Sequence, residues 1–101
     1  MSFLSVLIAR EETRNKNMIA EYTRELDALP KGSVKTKNVS GKIYYYLVYR
    51  NGNKVVSKYI GKDEDSVKVI SEQIVRRKQV EEILKRLTEE KSQIEKMEAL
   101  L

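Results

Sequence analysis

All four glycines and the single proline of this 101-residue chain lie between Pro30 and Gly61. The 29 residues before Pro30 and the 40 residues after Gly61 therefore contain neither residue type. Because glycine and proline both disfavour the interior of a helix, the two flanks are free to form long helices and the middle is not. The sequence predicts a single α+β domain: a helix over 2–29, a three-stranded antiparallel β-sheet over 33–62 and a long helix over 64–101.

The charge of the chain is divided in the same places. The segment Ala28–Lys62 contains eight basic residues and no acidic one, whereas the rest of the chain contains twelve basic and fifteen acidic residues. The middle segment thus carries +8 and the flanks together carry −3, which gives the formal net charge of +5. Five of the six tyrosines also lie in the middle segment. A basic segment rich in tyrosine indicates a negatively charged partner.

The residue types that are missing exclude several kinds of chemistry. The chain has no cysteine and no histidine, which excludes disulfides, thiolate nucleophiles and zinc knuckles and removes the commonest general base. We expect no catalytic activity, no metal ion and no cofactor. Asp63, Glu64 and Asp65 are better explained as helix-capping residues than as metal ligands. The apolar start of the chain is too short to span a membrane and carries no basic leader, so we expect a cytoplasmic protein.

Both flanks show apolar residues at helical spacing. The stripe of the first helix is Ile8, Ile19, Tyr22, Leu26 and Leu29. Glu12 and Asn15 interrupt this stripe, which weakens the prediction of tight packing there. The second helix has two stripes that are out of phase with each other, Val67, Ile70 and Ile74 and then Val80, Ile83, Leu87, Ile94, Met97 and Leu101. We expect the helices to pack as an antiparallel hairpin or coiled coil, and the extra length of the second helix favours a homodimer through the long helices.

Two dipeptides fix the predicted register of the sheet. Asn51-Gly52 is typical of a type I′ hairpin turn, because both residues tolerate positive φ. A turn there places Arg50 opposite Asn53, Tyr46 opposite Ser57 and Tyr44 opposite Tyr59. Ser40-Gly41 predicts a second two-residue turn, which pairs Val39 with Lys42 and Lys37 with Tyr44.

These registers divide the sheet into two faces, because side chains alternate along a strand. The aliphatic face is predicted to consist of Val34, Ile43, Leu47, Val56 and Ile60, with Thr36, Asn38 and Tyr45 beside them. The opposite face, called here the tyrosine–lysine face, carries Lys35, Lys37, Lys42, Tyr44, Tyr46, Arg50, Ser57 and Tyr59, with Val48 and Val55 between them. Lys54 and Lys58 fall on the aliphatic face, either as side chains that reach its edge or because a bulge shifts the third strand. We expect the aliphatic face to cover the helices and the tyrosine–lysine face to meet a partner.

Three stretches of the middle segment resemble a known family: LPKGS at 29–33, GKIYYYLVYR at 41–50 and KVVSKYIGK at 54–62. They are similar to small proteins of bacteria, archaea and their mobile elements, in which a short basic sheet lies between two helices. The resemblance implies this fold and a mobile-element setting, and it carries no activity. More loosely, the sheet resembles the arm-binding domains of tyrosine integrases and the plant-type domains that lay a three-stranded sheet in the major groove of DNA.

The function that these patterns favour is non-catalytic binding of DNA or RNA. The predicted binding residues are Lys35, Lys37, Lys42, Tyr44, Tyr46, Arg50 and Tyr59. The cations would neutralise phosphates, and the tyrosines would stack on bases or donate hydrogen bonds to phosphates. One alternative is an anti-CRISPR-like inhibitor that binds a nucleic-acid-handling effector protein or its nucleic acid, because exposed tyrosines beside arginine are typical of protein interfaces. A second alternative is a coiled-coil assembly subunit.

Overall fold

The computed structural model describes residues 2–101 as a helix, a sheet and a second helix. Helix α1 is Phe3–Ala28, strands β1, β2 and β3 are Ser33–Val39, Lys42–Asn51 and Lys54–Gly61, and helix α2 is Glu64–Leu100. The three strands form one antiparallel sheet in the order β1-β2-β3, and the two helices pack against each other. The predicted α+β class and the predicted order of elements are therefore confirmed. Within residues 2–101, neither helix combines the length and the apolar character needed to cross a membrane.

The described residues form two compact units. One unit, called here the helix unit, joins the chain up to Ala28 with Gln79–Leu101, so it contains α1 and the second part of α2. The other, called here the sheet unit, is Leu29–Lys78, which contains the sheet and the first part of α2. Helix α2 therefore contributes to both units.

The helix unit has a small apolar core at the predicted spacing. Ile8, Val80, Leu87 and Ile94 are buried, and Val80 is fully so. Three of these belong to the predicted stripe of the second helix. Two other members of that stripe, Met97 and Leu101, are exposed. The extra length of α2 lies before Arg77, which binds the Leu29 carbonyl oxygen just after α1, and not past the start of α1.

Asn15 is a buried member of the helix contact and not a gap in it. Its side chain is only 2% exposed. Its Nδ2 donates a hydrogen bond to the Leu87 carbonyl oxygen at 2.9 Å and another to Oε1 of Glu90 at 3.3 Å. Arg14 binds the same Glu90 oxygen through Nη2 at 3.1 Å. The interruption of the apolar stripe at Asn15 is therefore a polar contact that ties α1 to α2.

Short side chains cap the starts of both helices. The Ser2 hydroxyl accepts a hydrogen bond from the Ser5 amide at 3.1 Å. Asp63 Oδ1 accepts from the Ser66 amide at 2.7 Å, and Oδ2 accepts from the Ser66 hydroxyl at 3.1 Å. These bonds lower the pKa of the Asp63 carboxyl below its ordinary value. The prediction that Asp63 caps the second helix is confirmed.

The first hairpin has the predicted turn and register. Val39 pairs with Lys42 and Lys37 pairs with Tyr44, with Ser40 and Gly41 between the strands. Ser40 has a φ of 53° and Gly41 a φ of 81°. Positive φ at both central residues defines a type I′ turn, whose twist matches that of the two strands.

The second hairpin corrects the predicted turn. Asn51 pairs with Lys54, so the central residues are Gly52 and Asn53 and not Asn51 and Gly52. Gly52, at 63°, is the residue with positive φ, which defines a type II′ turn with glycine first. This turn requires no left-handed conformation of Asn51, which would cost free energy for a residue with a Cβ. The predicted pairs of Arg50 with Asn53, Tyr46 with Ser57 and Tyr44 with Tyr59 are therefore wrong.

The observed register differs from the predicted one by two residues. Tyr46 pairs with Tyr59, and Val48 pairs with Ser57. A shift by two residues keeps every side chain on its predicted face, since the side-chain period of a strand is two. A bulge then follows, because Tyr45 pairs with Gly61 and leaves Ile60 as an extra residue in β3.

Candidate functional site

The structure places all seven predicted binding residues on one face of the sheet. The pairing of β1 with β2 sets Lys35 opposite Tyr46 and Lys37 opposite Tyr44. The pairing of β2 with β3 sets Tyr46 opposite Tyr59. Lys42 and Arg50 lie at the two ends of β2 and share the face of Tyr44 and Tyr46, because they are separated from them by even numbers of residues.

The two faces of the sheet differ in exposure. Leu47 on the aliphatic face is 7% exposed, and Val34, Val56 and Ile60 are half-buried. Ile43 departs from the prediction because it is 52% exposed beside the first turn. On the tyrosine–lysine face, all three lysines and Arg50 are exposed, Tyr59 is 50% exposed, and Tyr44 and Tyr46 are half-buried. The tyrosine–lysine face is therefore the open one.

Three tyrosine rings form a cluster in the middle of this face. The ring centroids of Tyr46 and Tyr59 are 5.5 Å apart, and those of Tyr44 and Tyr59 are 6.3 Å apart. The ring planes are tilted by 59° and 52° respectively. Such tilted arrangements are favourable for aromatic pairs because the edge of one ring is attracted to the face of another. Tyr59 is therefore the ring that contacts both of the others.

Lys62 belongs to this site and was not among the predicted residues. Its Nζ lies 5.4 Å from the centroid of the Tyr44 ring, within the range of a cation–π contact. The sequence contains Lys62 as a cation just beyond the third strand. Its position beside Tyr44 depends on the bulge at Ile60, because the bulge brings Gly61 opposite Tyr45. The predicted register did not include a bulge at Ile60, so it did not place Lys62 beside Tyr44.

The site carries a concentrated positive charge. No acidic residue occurs in the segment from Ala28 to Lys62, so no side chain of the sheet neutralises these cations. Lys54 and Lys58 are also exposed, although Lys58 pairs with the buried Leu47 and therefore starts from the aliphatic face. The bulge does not move either lysine, because it lies at Ile60. Their long side chains reach solvent from the edge of the sheet, which is the first of the two explanations given for them in the sequence analysis.

The chemistry available at this face is that of binding. Lysine and arginine attract phosphates and donate hydrogen bonds to them, and tyrosine rings offer an aromatic surface with one hydroxyl each. In the described part of the chain, no three His, Cys, Asp or Glu side chains form a group that could hold a metal ion.

The protein thus consists of a helix, a basic three-stranded sheet with clustered tyrosines, and a second helix. The family described as Domain of unknown function (DUF6788) matches residues 8–69, which is more than half of the chain, so the chain belongs to that family. The matched range begins in α1, includes the whole sheet and ends in the first turns of α2. No curated protein matches the chain, and no solved structure does.

Proposed function

We propose that the protein is a non-catalytic nucleic-acid-binding protein of the cytoplasm, which binds through the tyrosine–lysine face of its sheet. The observation that supports this most strongly is the placement of Lys35, Lys37, Lys42 and Arg50 on the open face around a tyrosine cluster, in a segment without acidic residues. On the opposite face of the sheet Leu47 is buried, so that face is less accessible to a nucleic acid.

The mechanism of the proposed binding is mainly electrostatic. Each lysine that approaches a phosphate releases counterions from the nucleic acid, which makes affinity fall as salt rises. The exposed edge strand β1 contributes Lys35 and Lys37, whose Cα atoms are about 7 Å apart at the usual rise of a strand. Phosphate contacts of this kind position the nucleic acid without reading its sequence.

A triple substitution tests this proposal. Lys35→Gln, Lys37→Gln and Lys42→Gln together remove three charges from the face and are expected to weaken binding at every sequence. The slope of log affinity against log salt is expected to fall by about 2 if three single-strand phosphate contacts are lost. Fluorescence anisotropy with labelled oligonucleotides at about 50 and 200 mM salt measures both quantities.

The matched control removes the same charge from the helix unit. Lys85, Lys91 and Lys96 are exposed lysines of α2, and their triple change to glutamine is expected to leave binding nearly intact. Equal losses from the two triple variants would contradict binding through the sheet, because net charge alone would then explain the affinity. A folded protein that binds no nucleic acid at low salt would favour the alternative, an anti-CRISPR-like inhibitor that uses Arg50 and the tyrosines at a protein interface.

We also propose that the protein forms a homodimer through the ends of its helices. Helices α1 and α2 run antiparallel, because Asn15 contacts Leu87 whereas the earlier residue Glu12 interacts with the later residue Glu98. The start of α1 and the end of α2 therefore lie at the same end of the helix unit. Phe3 is 79% exposed there and Leu100 is 87% exposed. Leu4, Leu7, Met97 and Leu101 are further exposed apolar residues at this end. Exposed apolar residues that are close together favour association.

A further inference from the structure

We propose that the tyrosine cluster stacks on unpaired bases, so that the preferred ligand of this face is a single-stranded nucleic acid. This inference rests on the proposed function, because it assigns the class of ligand to the same surface. It goes further in stating which part of the nucleic acid the centre of the face contacts.

The centre and the border of the face have different chemistry. Tyr44 and Tyr46 lie on the central strand β2, with Tyr59 beside them on β3. This cluster is called here the centre of the face, and cations lie on three sides of it. Lys35 and Lys37 lie on the neighbouring strand β1, Lys62 lies beside Tyr44, and Lys42 and Arg50 lie at the ends of β2. Lys42 and Arg50 are separated by eight residues, which is about 27 Å along an extended strand. The face is therefore long enough for several nucleotides to contact cations at its border and tyrosines at its centre.

A duplex would make few contacts with tyrosine rings at the centre of the face. In a duplex the base faces are already stacked, and only base edges and phosphates are accessible. Base edges are recognised by side chains with several donors and acceptors, such as Arg, Asn and Gln. The centre of this face instead presents tyrosine rings, each with a single hydroxyl, together with Val48 and the exposed Val55.

Unpaired bases fit the same centre because their faces are free. Bases of any sequence stack on aromatic side chains, and each such contact contributes about 1–3 kcal/mol. The tilts of 52° and 59° mean that the three rings do not form one plane, so successive bases would stack on different rings. Tyr59 offers the most surface, since it is half exposed, whereas Lys62 already lies over Tyr44.

The test compares three labelled DNA probes of about twelve nucleotides with the full chain, by fluorescence anisotropy. The first is a single strand of thymidines, the second is the same strand with abasic sites in its central part, and the third is the duplex of the first with its complement. The abasic probe keeps the phosphates of the first and lacks the stacking surface. We expect the thymidine strand to bind about 5- to 150-fold more tightly than the abasic strand for each base that stacks. An oligouridine of the same length separates RNA from DNA.

Two substitutions at one position attribute the difference to a ring. Tyr59→Phe keeps the ring and removes the hydroxyl, so it is expected to bind the thymidine strand like the unmodified protein. Tyr59→Leu removes the ring, and it is expected to lose at least about fivefold on the thymidine strand and little on the abasic strand. Circular dichroism of both variants reports whether the sheet is retained.

The outcomes separate this inference from the proposed function. Equal binding of the three DNA probes, or tighter binding of the duplex, overturns the stacking inference and leaves binding through the basic face standing. Loss of affinity in Tyr59→Phe equal to that in Tyr59→Leu also overturns it, because the hydroxyl and not the ring would then make the contact. Absence of binding to every probe overturns both proposals.

Discussion

Gly32 lies where the chain passes close to β2 before it enters β1. A Cβ at this position would overlap the carbonyl oxygen of Val48 and would lie 2.8 Å from the Cβ of Tyr49. Its φ of 113° is also one that residues with a side chain rarely adopt. Because the clashing atoms belong mainly to the backbone, we expect Gly32→Ala to lower the free energy of unfolding by about 2–4 kcal/mol. Urea unfolding followed by circular dichroism measures this loss.

Gly52 supplies the control for this prediction. It also has a positive φ, 63°, but a Cβ there would meet nothing within 4 Å. Gly52→Ala therefore isolates the conformational cost, which is about 1–3 kcal/mol. If both substitutions cost the same, close approach to β2 would not be the reason for glycine at position 32.

The two hairpin turns differ in how far their central residues can be predicted from the sequence. Ser40 and Gly41 both have positive φ, as a type I′ turn requires, and the prediction there is correct. At the second hairpin the sequence offers glycine as either the first or the second central residue, and both choices give turns that fit a twisted hairpin. The choice depends on which cross-strand pairs form, here Tyr46 with Tyr59, and local sequence does not contain that information.

At the scale of helices, the carboxyl group of Glu98 on α2 interacts with that of Glu12 on α1. A hydrogen bond with Glu12 raises the pKa of Glu98 above its ordinary value of 4.5, and burial and the negative charges of Glu12 and Glu95 raise it further. A raised pKa in the folded state means that the contribution to stability is fully present below pH 4.5. It is lost as the pH rises through the raised pKa, when the bond loses its proton.

This pH dependence can be measured against a variant that does not titrate. Glu98→Gln keeps a hydrogen-bond donor at every pH, so its melting temperature is expected to exceed that of the unmodified protein increasingly as the pH rises from 4.5 towards 7. Glu89 is an exposed residue on the same helix, and Glu89→Gln is the control expected to follow the unmodified protein. A constant difference in melting temperature over this pH range would contradict the role of the Glu12–Glu98 bond.

The pattern of apolar residues predicted only part of the contacts that the helices and strands make. It correctly placed Val80, Leu87 and Ile94 in the helix contact. It treated Asn15 as a gap, because a count of apolar residues cannot detect a polar side chain that is satisfied by a carbonyl oxygen 72 residues away. In the sheet, the faces were predicted correctly from a wrong register, because an error of two residues leaves every side chain on the same face. An error of one residue would have exchanged the faces.

At the scale of the whole molecule, the exposed apolar end of the helix unit predicts concentration-dependent association. Met97 is 52% exposed and Leu100 is 87% exposed. Burying such side chains in a dimer is worth about 1.5–3 kcal/mol each, so Met97→Glu with Leu100→Glu is expected to weaken the dimer by more than about tenfold. Analytical ultracentrifugation over a concentration series measures the change.

Two exposed valines elsewhere on α2 provide the control. Val69 is 55% exposed and Val75 is 56% exposed, close to the value for Met97, and both lie in the sheet unit, so their change to glutamate adds the same charge at a partly exposed apolar surface. This control is expected to leave association unchanged. A protein that is monomeric at all concentrations would contradict the proposed dimer and would leave nucleic-acid binding by the sheet unaffected.

The division into units has a consequence for the order in which the chain can fold during synthesis. The sheet unit, Leu29–Lys78, is one uninterrupted stretch, whereas the helix unit needs residues from both sides of it. Because the ribosome releases the N-terminal part first, α1 emerges long before Leu87, which binds Asn15. All three strands are therefore synthesised before the part of α2 that belongs to the helix unit and packs against α1.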